Sequence, residues 1–408
     1  MNLKQITLAS LLLSSASFGA SIDLVQNYSA EYAGNPAQQG AINYGSTVYF
    51  NPAGLAQLEK GTYFVGGVQV AFGEQAMATN KEYDAELFSP IPNFAVYKVV
   101  DDGAYYWTLG AAAGGATLEY KDGVPLNGIE KLLDRTNVKG GNEYAQTTLG
   151  RTWKINDKLS TSLGLRAVYG LRTLEASTSV KGLNGLTVAS IDSERTGYGF
   201  GFQLGLNYKA TDRLNLGLRY DSKVNMDFKT DATITPVDFP NMPIGSGIVG
   251  GLLGMFPVYD DGLKTRRDLP AVLALGASYK VTDRWTTFVG GNYYFNEDAT
   301  MDQVGILKHY DYSNGWEISL GSEYWINDKF AWLIGVNYAD TGAPEGTYSP
   351  TEYAINSFFA GTGIKYRQNE TTEWTIAFNQ YFYDSTEAKG VVYEKEISSI
   401  GFNFVKKF

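Results

Sequence analysis

From residue 61 onward, apolar and polar side chains alternate at every second position in runs separated by short polar turns, the period of β-strands with one apolar face. Tyr198, Phe200, Phe202, Leu204, Leu206 and Tyr208 fall on one side of a pleat, and Gly197, Gly199, Gly201, Gln203, Gly205 and Asn207 on the other. Leu214, Leu216, Leu218 and Tyr220 oppose Arg213, Asn215, Gly217, Arg219 and Asp221, and Phe330, Trp332, Ile334, Val336 and Tyr338 behave likewise. The stretch from Tyr279 to Tyr293 joins two such strands through Lys-Val-Thr-Asp-Arg, and this punctuation returns at Trp153 to Leu159, Tyr208 to Leu214 and Tyr324 to Phe330. Looser forms occur at Tyr97 to Gly103 and Tyr366 to Thr371. Six short turns join twelve strands; a first strand over roughly 61–74 and a last over roughly 391–408 bring the total to about 14, an even number as in single-chain outer-membrane barrels.

Alternation alone also suits a soluble sandwich. The placement of the aromatics separates the two: Tyr208, Tyr279, Trp285, Tyr324 and Phe330 sit beside the turns with aliphatics between, as an interfacial girdle requires. The other face carries Arg166, Arg172, Arg219, Lys280, Glu317 and Glu323, charges that a wet lumen tolerates and a sandwich core does not. The expected fold class is therefore all-β, a transmembrane antiparallel β-barrel with a polar lining. Long connections at 121–142, 178–193, 231–264 and 299–311 belong on the outer side. In the first, Leu126, Ile129, Leu132 and Leu133 recur at helical spacing, so a short helix with an apolar stripe is expected. In the third, Ile244 to Phe256 is almost wholly apolar yet too short to span a bilayer. Apolar outer loops need something to cover.

The chain before residue 61 does not alternate. Lys4, the apolar run Ile6 to Leu13 and the small residues up to Ala20 read as a secretory signal over residues 1–20. Residues 21–60 are rich in Gly, Asn, Ala and Gln and end in Tyr49-Phe-Asn-Pro-Ala-Gly54, turn chemistry that fits a compact plug or an N-terminal strap. Residues 61–408 form the barrel.

Composition narrows function by exclusion. Mean hydropathy is −0.20, but alternation hides an apolar face from any average. A net charge of −10 argues against nucleic acid, which needs a clustered positive surface. There are no cysteines, hence no disulfides or thiolate metal sites. His309 is the only histidine, and no nucleophile elbow accompanies it. Gly245-Ser-Gly-Ile-Val-Gly250 matches a dinucleotide fingerprint without the βαβ unit that would give it meaning. Neither an enzyme nor a bound cofactor is expected. A general porin and a surface adhesin are the rival readings.

Asn51-Pro52-Ala53 resembles the Asn-Pro-Ala signature of the FadL/TodX outer-membrane transporters. Pro92-Asn93-Phe94, Ala167-Val168-Tyr169, the run from Leu218 to Lys229, Leu269-Pro270 and the terminal Phe408 are similar to that family in order and spacing. The resemblance implies a barrel of fourteen strands stoppered by an N-terminal hatch at Asn51, Pro52 and Ala53, for passive uptake of long-chain fatty acids or other hydrophobic compounds. It implies capture in an outer groove involving Leu126, Ile129, Leu132, Leu133 and Leu174, then a pocket near the hatch, then lateral exit at a kinked third strand. The kink falls at Gly114-Gly115, a pair that suits a tight barrel bend as well as a gate. Where relatives place a basic residue for the carboxylate, this chain has Ala176, with Arg172 one pleat-turn below as a substitute or the substrate uncharged. The implied partners are a hydrophobic small molecule and outer-membrane lipid, and a monomer is expected.

Overall fold

A computed structural model describes residues 29–125 and 130–408. The signal segment 1–20, residues 21–28, and Leu126 and Ile129 of the expected groove lie outside the described residues.

Seventeen hydrogen-bonded runs form one sheet, and they make 14 barrel strands because three of those strands are each interrupted once. In chain order they are β1 (Gly61–Ala78), β2 (Glu82–Val100), β3 (Gly103–Tyr120), β4 (Leu133–Lys154), β5 (Leu159–Val180), β6 (Thr187–Lys209) and β7 (Leu214–Asp221, resumed at Asp227–Pro236). There follow β8 (Lys264–Arg266, resumed at Ala271–Lys280), β9 (Trp285–Phe295), β10 (Gly315–Trp325), β11 (Phe330–Asp340), β12 (Ser357–Asn369), β13 (Thr372–Tyr383, resumed at Thr386–Ala388) and β14 (Val391–Lys407). Neighbours are antiparallel throughout, and β1 pairs with β14 from Tyr63↔Lys407 to Ala78↔Val392, which closes the cylinder and leaves no sheet edge.

All six short turns lie where the repeated punctuation puts them, and their chemistry is local. Thr211 Oγ1 accepts hydrogen bonds from the backbone N–H groups of Arg213 at 3.1 Å and Leu214 at 3.0 Å. Asn156, Thr282 and Asn327 do the same in their turns, so an Asn or Thr before Asp-Lys/Arg is what makes the chain reverse. The alternating residues face outward: Leu165, Tyr198 and Phe200 are about 70% exposed (68%, 72% and 72%), exposure that only hydrocarbon makes favourable.

Two expectations about the outer side change. The connection at 178–193 is mostly strand, because β5 runs to Val180 and β6 starts at Thr187. Strands of 22 and 23 residues are about twice the roughly 9–11 that cross a bilayer, so the wall rises well above the membrane. The helix expected at 121–142 reduces, among the described residues, to one 3-10 turn, Glu130–Leu132, after which Leu133 opens β4. Conversely, the apolar stretch in the third connection becomes a helix, α1 (Ile244–Met255), despite its glycines. Ile248, Val249 and Leu252 are buried in the same apolar cluster as Val188, Ala189 and Ile191 of β6, and that burial outweighs weak helix propensity.

Candidate functional site

The floor of the lumen is built from residues 29–58. Ser29 caps a short helix, Ala30–Gly34, by accepting from the N–H of Tyr32 at 3.2 Å. That helix turns Glu31 onto the wall, where its buried carboxylate accepts from Thr375 Oγ1 at 2.9 Å and Asn403 Nδ2 at 2.9 Å. Each residue of the Asn-Pro-Ala signature is tied to a strand: Asn51 Nδ2 donates to Asn207 Oδ1 at 2.7 Å, Thr152 Oγ1 to the carbonyl of Pro52 at 2.7 Å, and Ser160 Oγ to that of Ala53 at 2.6 Å. Between them the chain follows a track of inward-facing glycines. Gly401 lies under Ala30, Gly361 under Ala33, Gly335 under Asn35 and Pro36, Gly276 under Gly40, and Gly205 under Ala53. Several are cross-strand partners, among them Gly217↔Gly276, Gly276↔Gly290 and Gly335↔Gly361, so the absence of side chains clears a continuous channel for backbone.

Above this floor the lining is apolar, not polar as the charged inward positions had suggested. Tyr32 and Phe50 stack at 5.5 Å and face upward into one buried cluster with Leu87, Ile91, Leu118, Tyr120, Leu174, Tyr353 and Phe359. The predicted groove residues divide here. Leu174 is fully buried in that cluster, Leu133 is half-buried against it, and Leu132 is exposed at the rim. The helix α1 and the connection 341–356 cover the cluster from outside, the latter through Tyr348 and Tyr353.

Two sets of charged groups lie at this level: Lys395 on β14, which donates to the carbonyl of Tyr353, and a knot of arginines and carboxylates. Arg172 on β5 and Arg267 between the runs of β8 both bind the carboxylate of Glu352, and Arg195 on β6 binds Asp302 Oδ1 at 2.6 Å. Arg267 also reaches Asp302 Oδ2 at 3.2 Å. Burial opposes ionisation of Asp302 and Glu352, but the adjacent guanidiniums outweigh it and hold both carboxyls below their ordinary range. Arg172, singled out in the sequence as a stand-in for the missing carboxylate ligand, is therefore already engaged by a carboxylate of the chain itself.

The wall is not uniformly laced. β2 pairs with β1 along its whole length, from Val99↔Gly61 to Glu82↔Ala78, but its ladder with β3 runs only from Val100↔Gly103 to Asn93↔Gly110. Beyond that point β3 follows β4, through irregularities at Ala111/Ala113 and Gly115/Leu118. Gly114 lies inside this disturbed stretch with φ of 110°, and Gly115 donates its N–H to the side chain of Asn142. Apolar inward residues flank the seam, Leu87 and Ile91 from β2 and Ala112, Ala116 and Leu118 from β3. The seam starts at the floor, since Asn93 Nδ2 donates to the Tyr49 hydroxyl at 3.1 Å.

Two features escaped sequence reasoning. Pro90 and Pro92 lie on β2 just where the β3 ladder stops. Two prolines two apart remove successive N–H donors from one edge of a strand; the β1 ladder continues past both, so the depleted edge faces β3. Ser89-Pro-Ile-Pro92 was a legible signal for an unlaced edge. Glu352 carried no comparable signal, because its partners are 180 and 85 residues away.

The family model described as outer membrane protein transport protein (OMPP1/FadL/TodX) matches residues 6–400. Outer membrane protein P1 of Haemophilus influenzae is 29% identical over 216 residues, a match covering 47% of this chain and 45% of that protein, under half its length. The long-chain fatty acid transport protein of Salmonella typhi is 21% identical, over 90% of this chain and 88% of that one. Among solved structures, a Pseudomonas aeruginosa FadL homologue superposes with a TM-score of 0.70 at 15% identity, covering 97% of this chain and 99% of that one. The P. putida toluene transporter TodX gives 0.69 at 16%, covering 94% and 99%.

Proposed function

Because the chain belongs to the OMPP1/FadL/TodX family of outer-membrane transport proteins, not to a family of enzymes, we propose that it takes up hydrophobic compounds, long-chain fatty acids first among them, passively by loop capture, storage above a hatch and lateral exit through the wall. In this reading residues 1–20 direct export, residues 21–60 are the hatch, and the barrel of residues 61–408 holds the route.

The observation that carries the reading is the pairing of a closed floor with an unlaced wall. Residues 29–58 are bonded to strands on several sides of the lumen, and in this reading they block the straight path to the periplasm. The β2–β3 ladder ends at Asn93↔Gly110, beside the same floor and flanked by apolar side chains. A hydrophobic molecule in the chamber thus has an apolar way sideways. Burial of each methylene is worth about 0.8 kcal/mol, so a long acyl chain is drawn from water to the rim at Leu132 and Leu186, inward to Leu174, and finally into lipid without an energy source. Gly114 and Gly115 form the gate in this scheme by holding β3 away from β2, and Arg172 faces the substrate's head group.

The test is uptake of labelled oleate by cells in which this protein is the only such transporter, together with conductance of the purified protein in planar bilayers. Oleate uptake without steady ion current supports the proposal. Porin-like current in the intact protein, or absence of uptake, refutes it.

A further inference from the structure

We propose that the membrane-facing wall of β7 to β10 carries a binding site for one anionic phospholipid of the periplasmic leaflet, with its acyl chain in an apolar groove and its phosphate at the turns below. The inference goes beyond the transport reading and does not depend on it.

The groove exists because small residues meet on both faces of the wall. On the inner face Gly217, Gly276 and Gly290 stand side by side across β7, β8 and β9, against residues 39–40 of the floor. On the outer face β8 offers Ala277 and β9 offers Gly291. Ala277 is paired with Leu216 and Val289, and Gly291 with Leu275 and Ile318, so two small residues share one diagonal framed by four large ones. The result is an apolar groove of about 690 Å³ reaching from Tyr208 to Trp316, a volume within the roughly 300–1,000 Å³ of ligand sites. Another outward glycine gives the contrast. A Cβ on Gly66 would meet the Phe64 ring at 3.0 Å, whereas the three atoms nearest to one on Gly291 all belong to the backbone of β10. The chain fills the first dent itself and leaves the second to its surroundings.

Height and charge identify the occupant. Gly291 lies six residues above Trp285 at the turn, about 14 Å at ~3.3 Å per residue and ~45° of tilt, or half of a hydrocarbon core about 30 Å thick. From Gly291 down to Tyr208 the groove therefore spans one leaflet. Below it the turns 154–158, 209–213 and 280–284 hold six Lys or Arg against three Asp, in a chain whose net charge is −10. Lys154, Lys209 and Arg284 pair with Asp157, Asp212 and Asp328, which leaves Lys158, Arg213 and Lys280 exposed and without an ion pair among the described residues. The Asp212 carboxyl is held below its ordinary range by Lys209 first and, more weakly, by Lys158 and Lys280, so cations of all three turns act on one point. A hydrocarbon groove with a cationic lower end suits an anionic lipid. It does not suit a second copy of this chain, which would bring like-charged turns together.

The experiment is native mass spectrometry of the full-length protein released from detergent micelles doped with equal amounts of palmitoyl-oleoyl phosphatidylglycerol and the matching phosphatidylethanolamine. One phosphatidylglycerol should be retained with about fivefold preference, the factor that one basic side chain contributes at a membrane surface. Arg213→Gln with Lys280→Gln should erase the preference. Ala277→Phe, whose ring fills the groove, should remove retention of both lipids, and Ala360→Phe, facing outward on β12, should change neither. Retention of neither lipid or of both equally by the unaltered protein, a preference that survives the turn substitutions, or retention untouched by Ala277→Phe would overturn the site. A dimer that Ala277→Phe dissociates would also overturn it, since the groove would then seat a second copy. Folding is verified by heat-modifiable gel mobility. The turn substitutions touch only exposed side chains, so their arm decides by itself should Ala277→Phe fail to fold.

Discussion

Filling the glycine track should open the lumen to ions. Gly217 and Gly276 are direct cross-strand partners on β7 and β8. A Cβ on Gly217 would overlap the carbonyl oxygen of Gln39, and one on Gly276 would lie 2.6 Å from the N of Gly40. Both obstacles are backbone, so no rotamer change relieves them, and valine at both positions must push residues 39–40 off the wall. The displaced segment loses the hydrogen bonds from Asn215 Nδ2 at 3.1 Å and Ser278 Oγ at 2.8 Å to the carbonyl of Gly40. At about 0.5–1.5 kcal/mol for each bond and about 1–3 kcal/mol for each overpacked site, the hatch is destabilised by roughly 3–9 kcal/mol. The barrel is not, because its ladders run strand to strand without the hatch. Gly217→Val with Gly276→Val should therefore keep heat-modifiable mobility yet pass steady current in planar bilayers where the unaltered protein is silent. Gly250→Val, in open space on α1, is the control and should change nothing. A folded double variant as silent as its parent would refute the assignment of this segment as the seal.

Gly114→Val places a β-branched side chain at φ of 110° with its Cβ overlapping Asn142 O, a strain of about 1–3 kcal/mol relieved by flattening the bulge. Oleate uptake should fall while the barrel stays folded, and undiminished uptake would remove the lateral exit. Lys365→Met strips the cation from the half-buried carboxylate of Glu323 at 2.8 Å and the buried one of Glu373 at 3.8 Å, and should cost about 3–5 kcal/mol in urea unfolding; a change under about 1 kcal/mol would contradict the pairing. For Asp302 and Glu352, whose carboxyls are depressed in the folded protein, the stabilisation is complete above the ordinary carboxylate range near pH 4 and is lost as pH falls through the depressed values. Hydrogen exchange across 341–356, corrected for intrinsic rates, should be flat from pH 6 to 5, below the titration of the buried Lys395 that donates to the Tyr353 carbonyl, and rise only below about pH 4; an increase between pH 6 and 5 would contradict the depressed carboxyls.

The strands were legible because their signal is local. Phe200, Phe202 and Leu204 declare a lipid-facing side by period alone, and Thr211 or Asn327 declares a reversal through bonds that span two or three residues. The Asn-Pro-Ala turn was visible for the same reason. The charged inward positions, however, suggested a polar lumen, whereas Leu87, Leu118 and Leu174 make its upper half apolar.

What the residues determined by themselves was therefore the wall: how many strands, where they turn, and which face meets hydrocarbon. What only the closed cylinder decided was the interior. Inward side chains carry no mark of their partners, and whether Glu352 meets Arg172, or Tyr49 meets Asn93 at the foot of a seam, depends on the register that brings β14 round to β1. Period fixes a direction for each side chain, but closure fixes which directions converge.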